Sequence, residues 1–566
     1  MNETPGRLSA LEPPHGYGAD WPMREWLLAL LGAAAGLAFY FLVKGPENVP
    51  WRLALATFVV AAPLTAGLTL EPRRWQESAL FSALAGAVLA GLAWHVVRSE
   101  GHVAAGEFAF AAGVVAALIT IPLFQAGFHR TRWATPYRDL HYFAWTDAIS
   151  GAGALAFTGL AWAALALLSA LFQLLKINVL SELMNQDWFG PTYSGLAFGA
   201  ALGRLRNQLA TLGTLQGIVA LVLSLLAVPL AVGLVVFLGA MIVSGPQVLW
   251  EATRSATPVL LACAAGAFLL ANAVIRDDDV DITGNRLVRL AGLVLALAIL
   301  PLTFFAAISL GTRIAQYGLS PERLWGIVAI AIAVLWGAAY WLAVIRGRRT
   351  GWTARLREAN MHLALVVSAI ALFLALPILD FGSIAARSQA ARLTSGKLAP
   401  GKFDFDALRW DFGDGGRRVL ARLQRSPDAS VARLAREAAD RTQRPIFQAP
   451  SAEQRDDMAA KARFRFDDPQ LRRWALDHLA ANPWFCQPAC LVFDMGQAPR
   501  GHEVAFVTAN MVHRARFDRQ GRPVAPPPQP APPEILDPRA LDGRVEQRTQ
   551  TVTRFFVDGR ELPEAP

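Results

Sequence analysis

The sequence is poor in the features by which many soluble proteins and enzymes are recognised. Charged residues make up only 17% of its 566 residues, and its three cysteines are too few for a disulfide-built scaffold. It contains no Walker A loop, no Rossmann glycine fingerprint after a strand, no His-Glu-x-x-His and no Gly-x-Ser-x-Gly. These absences argue against an ATP-driven pump and a standard hydrolase, and we predict no cofactor and no metal site.

Long apolar runs are abundant instead, since 54% of the residues are hydrophobic. Each run has about 20 residues, enough for a helix to cross the ~30 Å hydrocarbon core of a bilayer. Ten runs meet this length, which predicts ten spans. They are Trp26–Val43, Trp51–Leu70, Ala79–Val97, Ala104–Phe124, Gly151–Leu175, Gly217–Val243, Thr257–Ile275, Leu287–Leu310, Leu324–Ile345 and His362–Leu379.

The placement of arginines predicts an eleventh span at residues 188–202. Basic loops between spans favour the cytoplasmic side, and the strongest such loop runs from Arg346 to Arg357. The basic loops in both halves of the chain lie on the cytoplasmic side only if residues 188–202 also cross the membrane. We therefore expect about eleven spans in a bacterial inner (cytoplasmic) membrane, with the N-terminus cytoplasmic and the C-terminus periplasmic. A polar lead longer than a signal-peptide n-region suggests that the first span stays as an anchor.

The composition changes abruptly after Leu379, where the chain becomes charged. The predicted fold is an all-α polytopic transmembrane helical bundle followed by a small soluble α+β C-terminal domain. Strand-like alternation occurs in Cys490–Met495, Glu503–Phe517 and Arg544–Phe556. The predicted regions are a cytoplasmic lead (1–25), a transmembrane domain (26–379), an extracytoplasmic helical then α+β region (380–522), a proline-rich linker (523–538) and a C-terminal strand pair (539–566).

A short polar interval between two apolar runs, Arg313 to Trp325, predicts a turn followed by a helix start. Gly318 permits an unusual φ, Ser320 is a helix cap, and Pro321 fits the first helical position. The string Tyr-Gly-Leu-Ser-Pro-Glu-Arg at 317–323 resembles a bacterial membrane family catalogued only as domain of unknown function 4153.

Further segments carry the same resemblance, which extends over roughly residues 150 to 415. They are Trp188-Phe-Gly-Pro with Gly195-Leu-Ala-Phe, Leu249-Trp250 with Ala256-Thr257, Arg387-Ser-Gln with Ala391-Arg-Leu, and Phe403-Asp404 through Leu408-Arg409. The resemblance implies a membrane architecture, and it carries over no catalytic residues.

The predicted topology places several charged residues on the outer face. Arginine forks there would grip the phosphate of an anionic headgroup or polymer. The simpler interpretation is helix capping and local ion pairing. The candidate ligand-binding residues are Arg313, Arg323, Glu322, Arg254 and Glu251.

Ionisable residues near span ends give a second candidate. His95 and Glu107 lie on either side of a short outer loop, where they would form a polar pair for proton transfer, or reach water separately as interfacial residues. Asp147 and His362 lie at cytoplasmic span entrances, where the interfacial interpretation is stronger.

Two further motifs have spacing that resembles a ligand set. Residues 276–281 resemble half of a calcium loop but lack its glycine and terminal glutamate, so a solvated acidic loop is the better interpretation. Cys486 and Cys490 suggest a local disulfide in an oxidising compartment. A zinc site would need two further ligands; His478, His502 and His513 are present, but no spacing supports one.

The leading functional hypothesis is a non-enzymatic envelope protein that presents its C-terminal domain to a periplasmic protein or envelope polymer. The alternatives are a secondary transporter or channel, and an envelope enzyme acting on a lipid-linked substrate. The net charge of +9 lies mostly in short loops and the tail, so we attribute it to topology and headgroup contact. The expected partners therefore include the lipid bilayer and exclude nucleic acid.

Overall fold

The computed structural model describes residues 21–45, 49–245, 256–279, 285–348, 351–442, 452–498, 501–509, 511–524, 554–557 and 560–561. Contacts divide the chain into two compact units. The first unit comprises residues 1–395 and 407–426, and the second comprises residues 396–406 and 427–566.

The first unit is helical. Its helices are α1 (Met23–Val43), α2 (Pro50–Thr69), α3 (Trp75–Arg98), α4 (Gly106–Gln125), α5 (Phe128–Thr131), α6 (Tyr137–Leu174), α7 (Val179–Met184), α8 (Phe189–Asn207), α9 (Leu209–Ser244), α10 (Ala256–Ile275), α11 (Arg286–Tyr317), α12 (Pro321–Gly347), α13 (Trp352–Ala375), α14 (Phe381–Thr394) and α16 (Gly413–Leu423). Helix α15 (Phe405–Trp410) crosses the boundary between the units.

Ten helices within the described residues are long and apolar enough to cross a membrane: α1 to α4, α6 and α9 to α13. This confirms the predicted polytopic helical bundle. The predicted eleventh segment, residues 188–202, lies in α8, which is helical but is not among the ten.

Helix α8 packs against α1 so closely that side chains are excluded between them. A Cβ atom on Gly195 would lie 2.1 Å from the Gly32 carbonyl oxygen, and one on Gly199 would lie 2.0 Å from the Leu28 oxygen. Since the numbering rises along α1 as it falls along α8, the two helices are antiparallel. Small residues at such spacing let membrane helices approach backbone to backbone. Helix α8 thus lies alongside the apolar stretch of α1 despite its own lower hydropathy.

Polar residues begin several helices as their sequence suggests. The Asn285 side chain accepts a hydrogen bond from Leu287 N at the start of α11, and Ser320 accepts one from Arg323 N at the start of α12. Asp380 accepts one from Ser383 N at the start of α14. Each cap satisfies a backbone donor that has no partner within its own helix.

The second unit is α+β, as predicted. Its helices are α17 (Ala429–Asp440), α18 (Ala452–Lys461) and α19 (Pro469–Ala481). Five strands form one sheet in the order β1 (Ala462–Phe464), β2 (Cys490–Ala498), β3 (Gly501–Val507), β4 (Val512–Phe517) and β5 (Pro523–Val524). Strand β1 is parallel to β2, and the other pairs are antiparallel. Strands β6 (Phe556–Val557) and β7 (Arg560–Glu561) form a separate pair.

One predicted strand is divided in two. The alternating stretch Glu503–Phe517 forms β3 and β4, because the chain turns where Thr508 N donates to the Met511 carbonyl oxygen at 3.0 Å. Residues 525–538 of the predicted linker and 544–553 of the predicted last strand lie outside the described residues.

Candidate functional site

The turn between α11 and α12, residues 313–323, is closed by its own side chains. Gly318 has φ +80°, a conformation that L side chains rarely adopt. The Arg323 Nη1 donates a hydrogen bond to the Gly318 carbonyl oxygen at 2.8 Å, and its guanidinium lies 5.7 Å from the centre of the Tyr317 ring. Arg323 therefore contributes to the geometry of the turn.

Helix α14, which follows the last span, donates side-chain hydrogen bonds to the backbone of this turn. The Gln389 Nε2 donates to the carbonyl oxygens of Tyr317 at 2.9 Å and Leu319 at 2.8 Å. Arg392 donates to the carbonyl oxygen of Ala315 at 2.9 Å and also to that of Gln316. The last carbonyls of a helix have no partner within it, so these bonds cap α11. Two sequence segments that carry the family resemblance thus contact each other.

Three of the five predicted anion-binding residues, Arg313, Glu322 and Arg323, lie among the described residues. Arg313 lies half-buried near the end of α11, and Glu322 is exposed in the first turn of α12. Glu251 and Arg254 lie outside the described residues. A shared pocket for an anionic headgroup stays a prediction.

The predicted polar pair of His95 and Glu107 is not joined by a hydrogen bond or ion pair in the described part of the chain. His95, near the end of α3, is half-buried and lines a small cavity with Ser99, Trp325 and Phe381. Glu107 is exposed in the first turn of α4. Their predicted role in proton transfer stays a prediction.

Helix α16 is fastened to the loop between α3 and α4. The Asp414 N donates to the His102 carbonyl oxygen at 2.7 Å, and the His102 Nδ1 lies 3.1 Å from Asp414 Oδ1. A Cβ atom on Gly413, whose φ is +58°, would lie 2.3 Å from the His102 oxygen. The hydrogen bond from Arg417, followed by that from His102, lowers the pKa of Asp414. We call α14 and α16 the exit helices, since both follow the last span and pack on the bundle.

A buried charge cluster lies at the other end of the bundle, formed by Arg24, Glu71, Asp147 and Arg206. Arg24 and Arg206 are each only 1% exposed. The Arg24 Nη2 lies 3.3 Å from Glu71 Oε2, and the Arg206 Nη1 lies 3.2 Å from Asp147 Oδ1. The Arg206 Nη2 is also 3.7 Å from Glu71 Oε1, so this guanidinium lies between two carboxylates.

With both carboxyls ionised, the formal charge of the cluster is zero, which limits the cost of burying its four charges. Burial raises the pKa of Glu71, and the nearby Arg24 and Arg206 oppose that shift. The sequence predicts Asp147 only as an interfacial residue and does not indicate that these four side chains meet. Their partners are up to 182 residues apart in the chain, so no local spacing reveals them.

A second buried polar group joins α10, α12 and α13. The Asn272 Nδ2 donates to Tyr340 Oη at 2.9 Å, Tyr340 Oη donates to Asn360 Oδ1 at 2.7 Å, and Asn360 Nδ2 donates to Asn272 Oδ1 at 2.6 Å. The three side chains form a closed ring in which each both donates and accepts. Such satisfied polar networks fix one arrangement of packed helices.

The acidic loop after α10 differs from its predicted solvated state. Asp277 is buried, and its Oδ2 lies 3.4 Å from Arg138 Nε. Asp279 accepts hydrogen bonds from Arg357 Nη2 at 2.6 Å and from Thr353 Oγ1 at 2.8 Å. The bond from Arg357 lowers the pKa of Asp279. The interpretation as a solvated loop was wrong for Asp277, which is buried against Arg138 of α6, whereas Asp279 stays exposed while it pairs with Arg357 of α13.

In the second unit, Cys486 and Cys490 form a disulfide. His478 and His513 face each other nearby, with their Nε2 atoms 3.5 Å apart. Burial, and secondarily the neighbouring His513, lowers the pKa of His478 to about 4. His502 instead lies 2.5 Å from Asp494. Within the described residues, no group of three or more His, Cys, Asp or Glu side chains is placed to hold a metal ion.

Comparison with protein families gives one match. The family model described as a domain of unknown function (DUF4153) matches residues 53–423. The match begins within α2, earlier than the segments that first indicated it, and it ends with the last residue of α16. It therefore includes the exit helices and leaves out the five-stranded sheet. The chain matches no curated protein and no solved structure.

Proposed function

We propose that this chain, which belongs to the DUF4153 family, is a multi-pass protein of the bacterial inner membrane that presents its second unit in the periplasm. The helical bundle holds the start of the exported region, and the second unit binds a periplasmic protein or an envelope polymer.

The observation that carries this proposal is the attachment of the exit helices to the bundle. A flexible tether would leave the last span without further contacts. Here Gln389 and Arg392 of α14 cap α11, and Asp414 of α16 is bonded to the loop at His102. The family match extends to the end of α16, which makes these helices part of the shared architecture.

The distribution of arginines supports the proposed orientation. Arg24 links the start of α1 to Glu71 before α3, and Arg206 links the end of α8 to α6. Arg138 and Arg357 link the starts of α6 and α13 to the segment after α10. Basic helix ends thus gather at one end of the bundle, which we call the basic end and assign to the cytoplasm.

Two further features support the same orientation. Helix α8 runs antiparallel to α1. If α8 is counted as a crossing of the membrane, all of these basic helix ends lie on the same side. The disulfide between Cys486 and Cys490 is of a kind that persists in oxidising compartments such as the periplasm.

The proposal is tested by crosslinking in cells that express the full chain. A photo-crosslinking residue replaces Trp484, a 62% exposed side chain of the second unit, and a control replaces exposed Arg433 on α17. We expect position 484 to capture the same envelope component repeatedly. The proposal fails if neither position captures anything reproducible and removal of residues 427–566 leaves envelope integrity unchanged.

The buried charge cluster favours a second candidate, a secondary transporter or channel, because ionisable groups inside a membrane bundle mark transport pathways in many proteins. In this alternative His95 and Glu107 are coupling groups on the opposite side. Flux in proteoliposomes with Glu107→Gln tests it, and an unchanged pH dependence of flux removes the coupling role.

A further inference from the structure

Gln125 and Asp147 form a buried pair in which one oxygen of each group has no hydrogen-bond partner among the described residues. Gln125 is the last residue of α4 and is 1% exposed, while the Asp147 side chain on α6 is 10% exposed. The Gln125 Nε2 donates to Asp147 Oδ1 at 3.1 Å and to the Leu68 carbonyl oxygen at 2.7 Å. Gln125 Oε1 and Asp147 Oδ2 are both buried, and neither has a hydrogen bond within the part of the chain that the structure describes.

The orientation of the Gln125 amide is determined by Leu68. A backbone carbonyl only accepts, so the amide nitrogen must face it, and the opposite assignment would place oxygen against oxygen. Gln125 Oε1 is therefore an acceptor without a donor. An ionised Asp147 also only accepts, so its Oδ2 has the same deficiency. The pair lacks one hydrogen.

One proton bound between the two side chains would supply the missing hydrogen. A carboxylic acid and a primary amide are complementary through two hydrogen bonds, one in each direction. We propose that Gln125 and Asp147 are a proton-binding site of the membrane bundle. The proton comes from water, forms an O–H bond at Asp147 Oδ2 and is donated to Gln125 Oε1, while Gln125 Nε2 continues to donate to Asp147 Oδ1.

Proton binding at this site changes the neighbouring ion pairs. The charged groups facing Asp147 are Arg206 of α8 and, beyond it, Glu71 and Arg24, and the phenol of buried Tyr142 lies on the same helix. Protonation takes the charge cluster from zero to +1. Arg206 then has Glu71 as its one ionised partner in the cluster, so we expect its guanidinium to move toward Glu71. The site thereby links a proton to the contacts among α1, α6 and α8.

The test is pH-dependent infrared difference spectroscopy of the full chain in lipid nanodiscs. The wild type is expected to show the C=O stretching band of a protonated carboxylic acid, and this band should disappear as the pH rises. The Asp147→Asn variant is expected to lack the band. Asp139→Asn, on the same helix but outside the cluster, is the matched control and keeps it. Absence of this band in the wild type, or its persistence in Asp147→Asn, overturns the proposal.

Gln125→Leu provides a second variant if Asp147→Asn does not fold. It keeps the volume nearly unchanged but removes the amide that donates to Asp147 Oδ1, the carbonyl oxygen of the protonated acid. A carbonyl that loses a hydrogen bond absorbs at higher frequency, so the carboxylic acid band is expected to move to higher frequency in Gln125→Leu. A band at the wild-type frequency in a folded Gln125→Leu protein contradicts the site.

Discussion

Replacing Gln389 by alanine tests how firmly the exit helix α14 is held. The wild-type amide makes two hydrogen bonds, to Tyr317 O at 2.9 Å and Leu319 O at 2.8 Å. Each bond contributes about 0.5–1.5 kcal/mol, so their loss is expected to cost roughly 1–3 kcal/mol. Since 1.4 kcal/mol is a factor of ten in an equilibrium constant, local opening of α14 becomes about 5–150 times more frequent.

Hydrogen exchange followed by mass spectrometry measures that opening directly, because it reports local unfolding below the global limit. Peptides covering residues 381–394 and 313–323 should exchange faster in Gln389→Ala, while peptides from α10 should not change. Gln424→Ala is the matched control, since this side chain makes no hydrogen bond in the described part of the chain. Equal exchange in the Gln389 and Gln424 variants would refute the capping role.

Three further predictions follow from packing and protonation. Gly195→Leu should separate α8 from α1 and lower the unfolding temperature in detergent, whereas Gly159→Leu on α6, where a Cβ meets nothing within 4 Å, should not. Tyr340→Phe should destabilise the bundle by roughly 1–3 kcal/mol, because Asn360 Oδ1 loses its shortest hydrogen bond. Chemical denaturation measures this loss, and an unchanged midpoint would count against a stabilising role for the hydrogen-bonded ring. The second unit should lose stability as the pH falls from about 6.5 toward 4, by about 1.4 kcal/mol per pH unit, because the unfolded chain protonates His478 before the folded one does. Exchange of residues 469–481 against pH tests this, and His478→Phe should make the slope shallower. Burial also lowers the pKa of His513, which accounts for the remaining slope, so an unchanged slope in the variant would contradict the assignment.

Most span positions were predictable because a run of about 20 apolar residues is the length a helix needs to cross a membrane. The predicted run Trp51–Leu70 became α2 (Pro50–Thr69), a shift of one residue at each end. Helix α6 shows where hydropathy stops being sufficient. It begins at Tyr137 rather than Gly151, since its polar first turns have partners elsewhere in the bundle, such as Asp277 for Arg138.

The buried charge cluster could not be predicted for a related reason. Arg24 and Arg206 each appear in the sequence as basic residues next to a span, which normally indicates an exposed cytoplasmic loop. Only the close packing of α1 on α8 brings them together and away from water. The contact of α14 with the 313–323 turn was equally hidden, although both segments had been singled out by the family resemblance.

The proposed topology places the exit helices and the basic end of the bundle on opposite sides of the membrane, and thiol labelling measures this arrangement. Single cysteines replace exposed Gln76, at the start of α3 near the basic end, and exposed Ser395, just after α14, in a Cys263→Ser background. We expect a membrane-impermeant reagent to label position 395 but not position 76 in cells whose outer membrane is permeabilised and whose inner membrane is intact. Labelling of 76 but not 395 would contradict it.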